Sequence, residues 1–226
     1  MALGVLSFSA DVTRAQNLLT NPGFDSGDLS GWLLASATVD QTEISYDGGE
    51  GNPSGSVKLD RITSAAFDNK DIIYQLVDVN VGTQYRVDAD WKGDLFNGGE
   101  GRNWAEAMVA FVPTGDPMPD GTSFADAWIQ YKRASDGGPH LPPTSGFDWE
   151  SILDSPDGGP ADGVFTATDE WMVLGFNLGG RAESSNNTQP GFYWVDNASV
   201  TVVPEPSTAV LLMLGGLAML LRRAKR

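Results

Sequence analysis

The chain has 226 residues, enough for one domain with a proper core and a short tail. Its net charge of −16, from 30 acidic and 14 basic residues, sets it against nucleic acid and anionic lipid as partners. Cysteine is absent, which excludes a disulfide scaffold, thiolate metal sites and a cysteine nucleophile, while 27 glycines, 13 prolines and seven tryptophans point to a loop-rich β domain.

Residues 1–15 are expected to be the remnant of a signal peptide. Residues 1–6 are apolar, and Thr13-Arg14-Ala15 offers a small-residue cleavage site before Gln16, although no basic residue precedes the apolar stretch. The body is expected to span 16–203 as one β-sandwich. It opens with a turn at Asn21-Pro22-Gly23, where proline presets φ and glycine permits a positive one. Phe24 and Trp32 follow as core anchors.

Strand signals recur at 32–39, 56–61, 72–79, 85–92, 107–112, 171–178 and 192–203. The cleanest is 85–92: Tyr85, Val87, Ala89 and Trp91 alternate with Arg86, Asp88, Asp90 and Lys92, as in a half-buried antiparallel strand. Residues 124–133 are ambiguous, because Phe124 and Trp128 sit at helical spacing while Trp128-Ile129-Gln130-Tyr131 suits a strand. Eight or so short strands predict an all-β sandwich.

Three long loops, 92–104, 113–122 and 134–147, separate these strands. Trp104, Trp128 and Trp149 lie in or beside them and are the candidate sugar-stacking platform. Trp32, Trp91, Trp171 and Trp194 are expected in the core. His140, the only histidine, sits in a Gly/Pro-rich loop, and no Gly-x-Ser-x-Gly elbow occurs. Asp148-Trp149-Glu150 offers two acids around an aromatic, as glycoside hydrolysis needs, or a strand with Trp149 packed inward. Asp154, Asp157 and Asp162 lack the EF-hand spacing and belong to a solvated loop.

In the closing strand Asp196 shares parity with Phe192, Trp194, Ala198 and Val200, which places its carboxylate on the core side. An ionised carboxylate there needs a cation or several donors. After it comes Pro204-Glu205-Pro206, an exposed extended break. Residues 208–221 carry no charge and make a helix of roughly 21 Å, a short membrane span. Arg222, Arg223, Lys225 and Arg226 stop it on the cytoplasmic side, leaving the body outside.

Pro-Glu-Pro-Ser, an apolar run and an arginine-rich end resemble the PEP-CTERM sorting signal over 203–226. The resemblance implies processing by an exosortase-type membrane enzyme in a Gram-negative bacterium that makes exopolysaccharide. The protein would pass through the inner membrane to the outer surface or extracellular matrix. The body resembles the galactose-binding-like jelly rolls, in particular CenC-type carbohydrate-binding modules. Asn17, Leu18, Leu19, Asn21, Gly23, Phe24, Asp25, Gly31 and Trp32 carry this likeness, with 54–59, 82–85 and 193–200. It covers both ends of the body but not 94–165. It implies a structural calcium ion held by Asp25 and Asp196, with backbone carbonyls near Asn21 and Ser56. Together these imply an exported, non-catalytic protein of the cell envelope associated with polysaccharide. A purely structural surface protein and a polysaccharide hydrolase remain the alternatives.

Overall fold

The computed structural model describes residues 16–35, 42–51, 53–61, 71–94, 101–115, 129–135, 146–154, 160–182 and 191–204. These form eleven strands and one 3₁₀ turn at Ile152–Asp154. The strands are β1 (Leu33–Ala35), β2 (Thr42–Gly51), β3 (Ser54–Arg61), β4 (Ile72–Asp78), β5 (Gln84–Asp94), β6 (Gly101–Val112), β7 (Ile129–Ser135), β8 (Gly146–Ser151), β9 (Val164–Thr166), β10 (Trp171–Ala182) and β11 (Phe192–Val202).

They pack as two antiparallel sheets. One runs β1-β4-β10-β6-β7 and the other β2-β3-β11-β5-β8, with β9 also pairing β5. The architecture is a jelly-roll β-sandwich, as the strand count and turn spacing suggest. Alternation builds the core: Tyr85, Val87, Ala89 and Trp91 of β5 are buried, and the residues between them are not. Val57, Leu59, Tyr193 and Val195 add to that inner face, against Met172, Leu174, Phe176 and Leu178 of β10. Strand β10 is buried on both faces, since Val173 joins Ile72, Tyr74 and Ala110 in a second apolar cluster. The 124–133 ambiguity resolves to a strand from Ile129, while Trp128 lies outside the described residues.

Two tryptophans expected in the core stand elsewhere. Trp171 is only half-buried at the start of β10, with its ring so close to Gly115 that a Cβ there would sit 2.7 Å from it. Trp194 is half-buried on the outer face of the six-stranded sheet. The cause is a bulge in β11 between Asp196 and Ser199, with Asn197 at φ 50°. Tyr193 and Val195 face inward before it, Ala198 and Val200 after it, so alternation changes phase within the strand.

The segment before β1 is strapped to β11. Asn17 bridges Thr201, donates from Nδ2 to Ala198 O, and accepts from Leu19 N and Val200 N at Oδ1. Phe24 stacks on Trp32 at 5.3 Å, and Trp32 meets Phe176. At the far end of β11, Val203 N still donates to Gln84 O, and Pro204 is exposed. Among the described residues no helix is long and apolar enough to cross a membrane. Residues 1–15, 208–221, Glu205, Pro206 and the terminal basic cluster lie outside the described residues, so the expected transmembrane helix does too.

Candidate functional site

The outer face of the six-stranded sheet is built in rungs across β3, β11 and β5. Phe192 lies opposite Asp60 and Asp94, and Trp194 opposite Lys58 and Lys92. Asp196 lies opposite Asp90, one residue beyond the Val57–Val195 pair and so beside Ser56. Asp196 therefore does not belong to the inward row. It shares the outer face with Trp194, yet is fully buried. The expectation of a carboxylate removed from water holds. Its reason is different: the bulge divides the inward row, and the 21–25 loop packs close by, with Ala198 N donating to Pro22 O.

Around that loop oxygens converge. A Cβ built on Gly23 would stand 3.2 Å from Asp25 Oδ2 and 3.6 Å from both Asp196 Oδ1 and Asn197 Oδ1. A Cβ built on Gly55, whose φ is 125°, would stand 3.4 Å from Phe24 O and 3.6 Å from Gly23 O. Next to it the Ser56 hydroxyl is buried with no hydrogen-bond partner. These are hard oxygen donors, the kind a calcium ion takes in irregular geometry. An orphaned buried hydroxyl among them fits a cation better than it fits a closed hydrogen-bond network. Only two carboxylates take part. Among the described residues no group of three or more His, Cys, Asp or Glu is placed to hold a metal.

Asn21 shapes this loop from within. Its Nδ2 donates to the carbonyls of Asp28 and Ser30, its Oδ1 accepts from Ser26 N, and its own carbonyl accepts from Trp32 Nε1 at 3.1 Å. Nearby, Ser26 Oγ and the Ser30 side chain and N–H hold the Asp28 carboxyl down to about 2.

Two residues along the same face lies an aromatic and charged cluster. Phe192 and Trp194 meet edge to face at 5.0 Å. Lys58 Nζ stands over Phe192 at 4.8 Å and over Trp194 at 5.7 Å, and Lys92 Nζ stands over Trp194 at 5.7 Å. Lys58 pairs with Asp60 at 2.6 Å and Lys92 with Glu50 at 3.1 Å. Trp194 Nε1 donates to Asp47 Oδ2 at 2.9 Å, and this bond, before the Gly49 N–H, holds the Asp47 carboxyl below the usual range. Lys58 and Trp194 fall within the stretches that carry the jelly-roll likeness, but no motif marks Asp47, Glu50, Lys92 or Phe192, and none assigns the cluster a role.

The remaining candidates are dispersed. Trp104 lies in β6 of the five-stranded sheet, opposite Gly179 and Ser135, and Trp149 lies in β8 of the other sheet. Trp149 is half-buried at the strand's bulge against β5, not packed inward. Glu150 instead takes the rung of Trp91. Burial raises its carboxyl above the usual value. Asp148 is exposed, so the pair forms no cleft between the sheets. Trp128, His140 and Asp157 lie outside the described residues, while Asp154 and Asp162 are exposed.

The tail decides delivery. A protein-family model described as the PEP-CTERM protein-sorting motif matches residues 202–226. The C-terminus carries a PEP-CTERM sorting motif. It begins at the last residue of β11, so the PEP-CTERM segment follows the sandwich with no linker. No curated protein matches the chain by sequence. Among solved structures, the enzymatically active domain of bacteriophage CBA120 tailspike protein 4 superposes with a TM-score of 0.51 at 13% identity, over 83% of this chain and 21% of that one. This chain thus spans about a fifth of the tailspike's length. A CBM61 module in complex with β-1,4-galactotriose matches at TM-score 0.43 and 14% identity, over 84% of this chain and 100% of that one. The CBM22-1 xylan-binding domain of Paenibacillus barcinonensis Xyn10C matches at 0.43 and 12%, over 84% and 97%. At these identities the likeness is one of fold.

Proposed function

We propose that the chain is an exported protein of the cell envelope whose sandwich binds polysaccharide and catalyses no reaction on it. The observation that carries this reading is the PEP-CTERM motif fused directly to β11, a strand that displays Phe192 and Trp194 on its outer face. The motif supports passage through the inner membrane of a Gram-negative bacterium, processing by an exosortase-type enzyme at Pro204-Glu205-Pro206, and release to the surface or matrix. Arg222, Arg223, Lys225 and Arg226 would hold the unprocessed tail on the cytoplasmic side. Exopolysaccharide is the matching partner. Trp149 lies on the same sheet as Trp194 and would extend the contact, whereas Trp104 lies on the other sheet and Trp128 outside the described residues.

Calcium would sit between Asp25, Asp196, Asn197 and Ser56, helped by the carbonyls of Gly23 and Phe24. There it would neutralise two carboxylates and pin the 21–25 loop to β11 and β3, giving the face a fixed border. The structural alternative draws on one observation: both lysines over Trp194 already have acidic partners, so the face is closed as it stands.

Two measurements test the reading. Mass spectrometry of the native protein should show a chain cut within or near the PEP-CTERM motif. An intact chain dissolved in the cytosol would end the export proposal. A glycan array probed with the full chain in mild detergent should give signals that Trp194→Ala weakens. A blank array would leave the structural reading, and release of reducing sugar would replace it with a hydrolase.

A further inference from the structure

Strand β2 is the edge of the six-stranded sheet, three places from β5 in the order β2-β3-β11-β5. Even so, Glu50 reaches Lys92 on β5 and Asp47 reaches the Trp194 indole on β11, both passing over β3. The β2–β3 register breaks between the Asp47–Ser56 and Gly51–Ser54 pairs, so the tip 47–51 stays paired at both ends while 48–50 bulge from the ladder and Glu50 reaches across the outer face. Its sequence, Asp47-Gly48-Gly49-Glu50-Gly51, has three glycines and two anchoring acids.

We propose that this tip is a flap over a binding site for a carboxylate-bearing saccharide, and that Glu50 occupies the position the ligand's carboxylate takes. The inference rests on the polysaccharide-binding reading above and names the chemistry of its ligand. Lys58 has its acid, Asp60, on its own strand, two residues away. Lys92 gets its acid from the flap. When the flap lifts, it leaves a cation at Lys92, an indole N–H donor at Trp194, and the rings of Trp194 and Phe192 within one patch. That set complements a sugar acid: a carboxylate for the ammonium, a hydroxyl or ring oxygen for the N–H, and an apolar CH face for the rings.

Opening breaks the Asp47–Trp194 hydrogen bond and one ion pair, and an ion pair whose side chains are 30% and 34% exposed contributes little. Gly48, Gly49 and Gly51 let the backbone swing. One carboxylate replaces another on Lys92, so the ammonium keeps an anionic partner while the displaced Glu50 turns toward solvent, where its charge is screened. A neutral sugar would leave Glu50 and Lys92 to find each other again, and would compete for the face without taking the ion pair.

The test is calorimetric titration of the full-length chain, in mild detergent, with an oligogalacturonate and with a neutral galacto-oligosaccharide of the same length. The uronate should bind at least about tenfold more tightly than the neutral sugar, the order expected for one charge-assisted contact. Glu50→Gln removes the internal competitor and should tighten uronate binding severalfold. Lys92→Met should weaken it about tenfold or more with the thermal midpoint kept. If the neutral sugar binds as well as the uronate and Glu50→Gln changes nothing, the flap proposal falls and the polysaccharide reading stands. If neither sugar binds either protein, both fall.

Discussion

Asp47 carries a testable pH signature. Its carboxyl is held below the ordinary 3.8, first by the Trp194 N–H and then by Gly49 N. A carboxyl lowered by folding adds stability that is complete above its unfolded value and is lost as pH falls through the folded one. Without ligand, the Asp47–Trp194 anchor should therefore hold at neutral pH and be lost in acid below the usual carboxylate range. The indole N–H resonance of Trp194, assigned with Trp194→Phe, should shift there and not near pH 5. Asp88 and Glu150 act oppositely. Burial raises both, so the folded chain holds their protons longer and loses stability as pH rises through that range. At the cation cluster, Asp196→Ala should cost about 1–3 kcal/mol, since it orphans donors around a buried site, and it should abolish any rise in thermal midpoint with calcium. A rise that survives in Asp196→Ala would place the ion elsewhere. The burial of Asp196 was legible as an acid in an apolar strand, but the face it lies on was not. One bulge at Asn197, invisible to alternation counting, reverses the assignment of Phe192 and Trp194 from core to surface.

Among elements, those with clean alternation or a long apolar run were readable: β3, β4, β5, β10 and β11 lie within a few residues of their expected bounds. Strand β2 was not, because Thr-Glu-Ile-Ser-Tyr-Asp-Gly-Gly-Glu-Gly mixes a polar strand with a glycine-rich tip. Its pairing with β3 comes from tertiary context. Strand β9 is a short edge piece beside β5 where the sequence is dominated by turn residues, whereas the strand reading of 148–150 falls within β8. The flap follows from the part of β2 that looked least like a strand. Gly51 has φ 132°, and a Cβ there would meet the Gly55 and Pro53 carbonyls at 2.5 Å. Gly51→Ala should therefore displace the tip, lowering the denaturation midpoint by the equivalent of about 1–3 kcal/mol and abolishing the Trp194 acid transition. The strap before β1 offers a second check. Asn17 makes three hydrogen bonds across β11 and to Leu19, so Asn17→Ala should cost about 2–3 kcal/mol in chemical denaturation. A loss below half a kcal/mol would mean the strap is dispensable.

At the scale of the molecule, the sequence divides where the structure does. Val203 makes the last rung of the ladder, and pairing stops at Pro204, which has no N–H to give and lies two residues into the PEP-CTERM match. That boundary was readable because proline chemistry and the apolar tail are local signals. The two-sheet topology was not, because it depends on pairings between residues more than a hundred positions apart, such as Asn17 with Thr201. The arrangement makes opposite predictions for two truncations. A chain ending at 203 keeps every strand and should fold with an unchanged thermal midpoint and the near-ultraviolet signal of packed tryptophans. A chain ending at 190 loses β11, which stands between β3 and β5 in the middle of the six-stranded sheet and supplies Tyr193, Val195, Ala198 and Val200 to the core. Deleting four buried side chains and both neighbouring ladders exceeds the stability of an ordinary domain, so that chain should show no cooperative transition. Because β11 is the last of the described strands in chain order, a nascent chain cannot complete its six-stranded sheet before residues 192–202 are synthesised. Pulse-chase of the two truncations should then show protease resistance appearing only in the longer one.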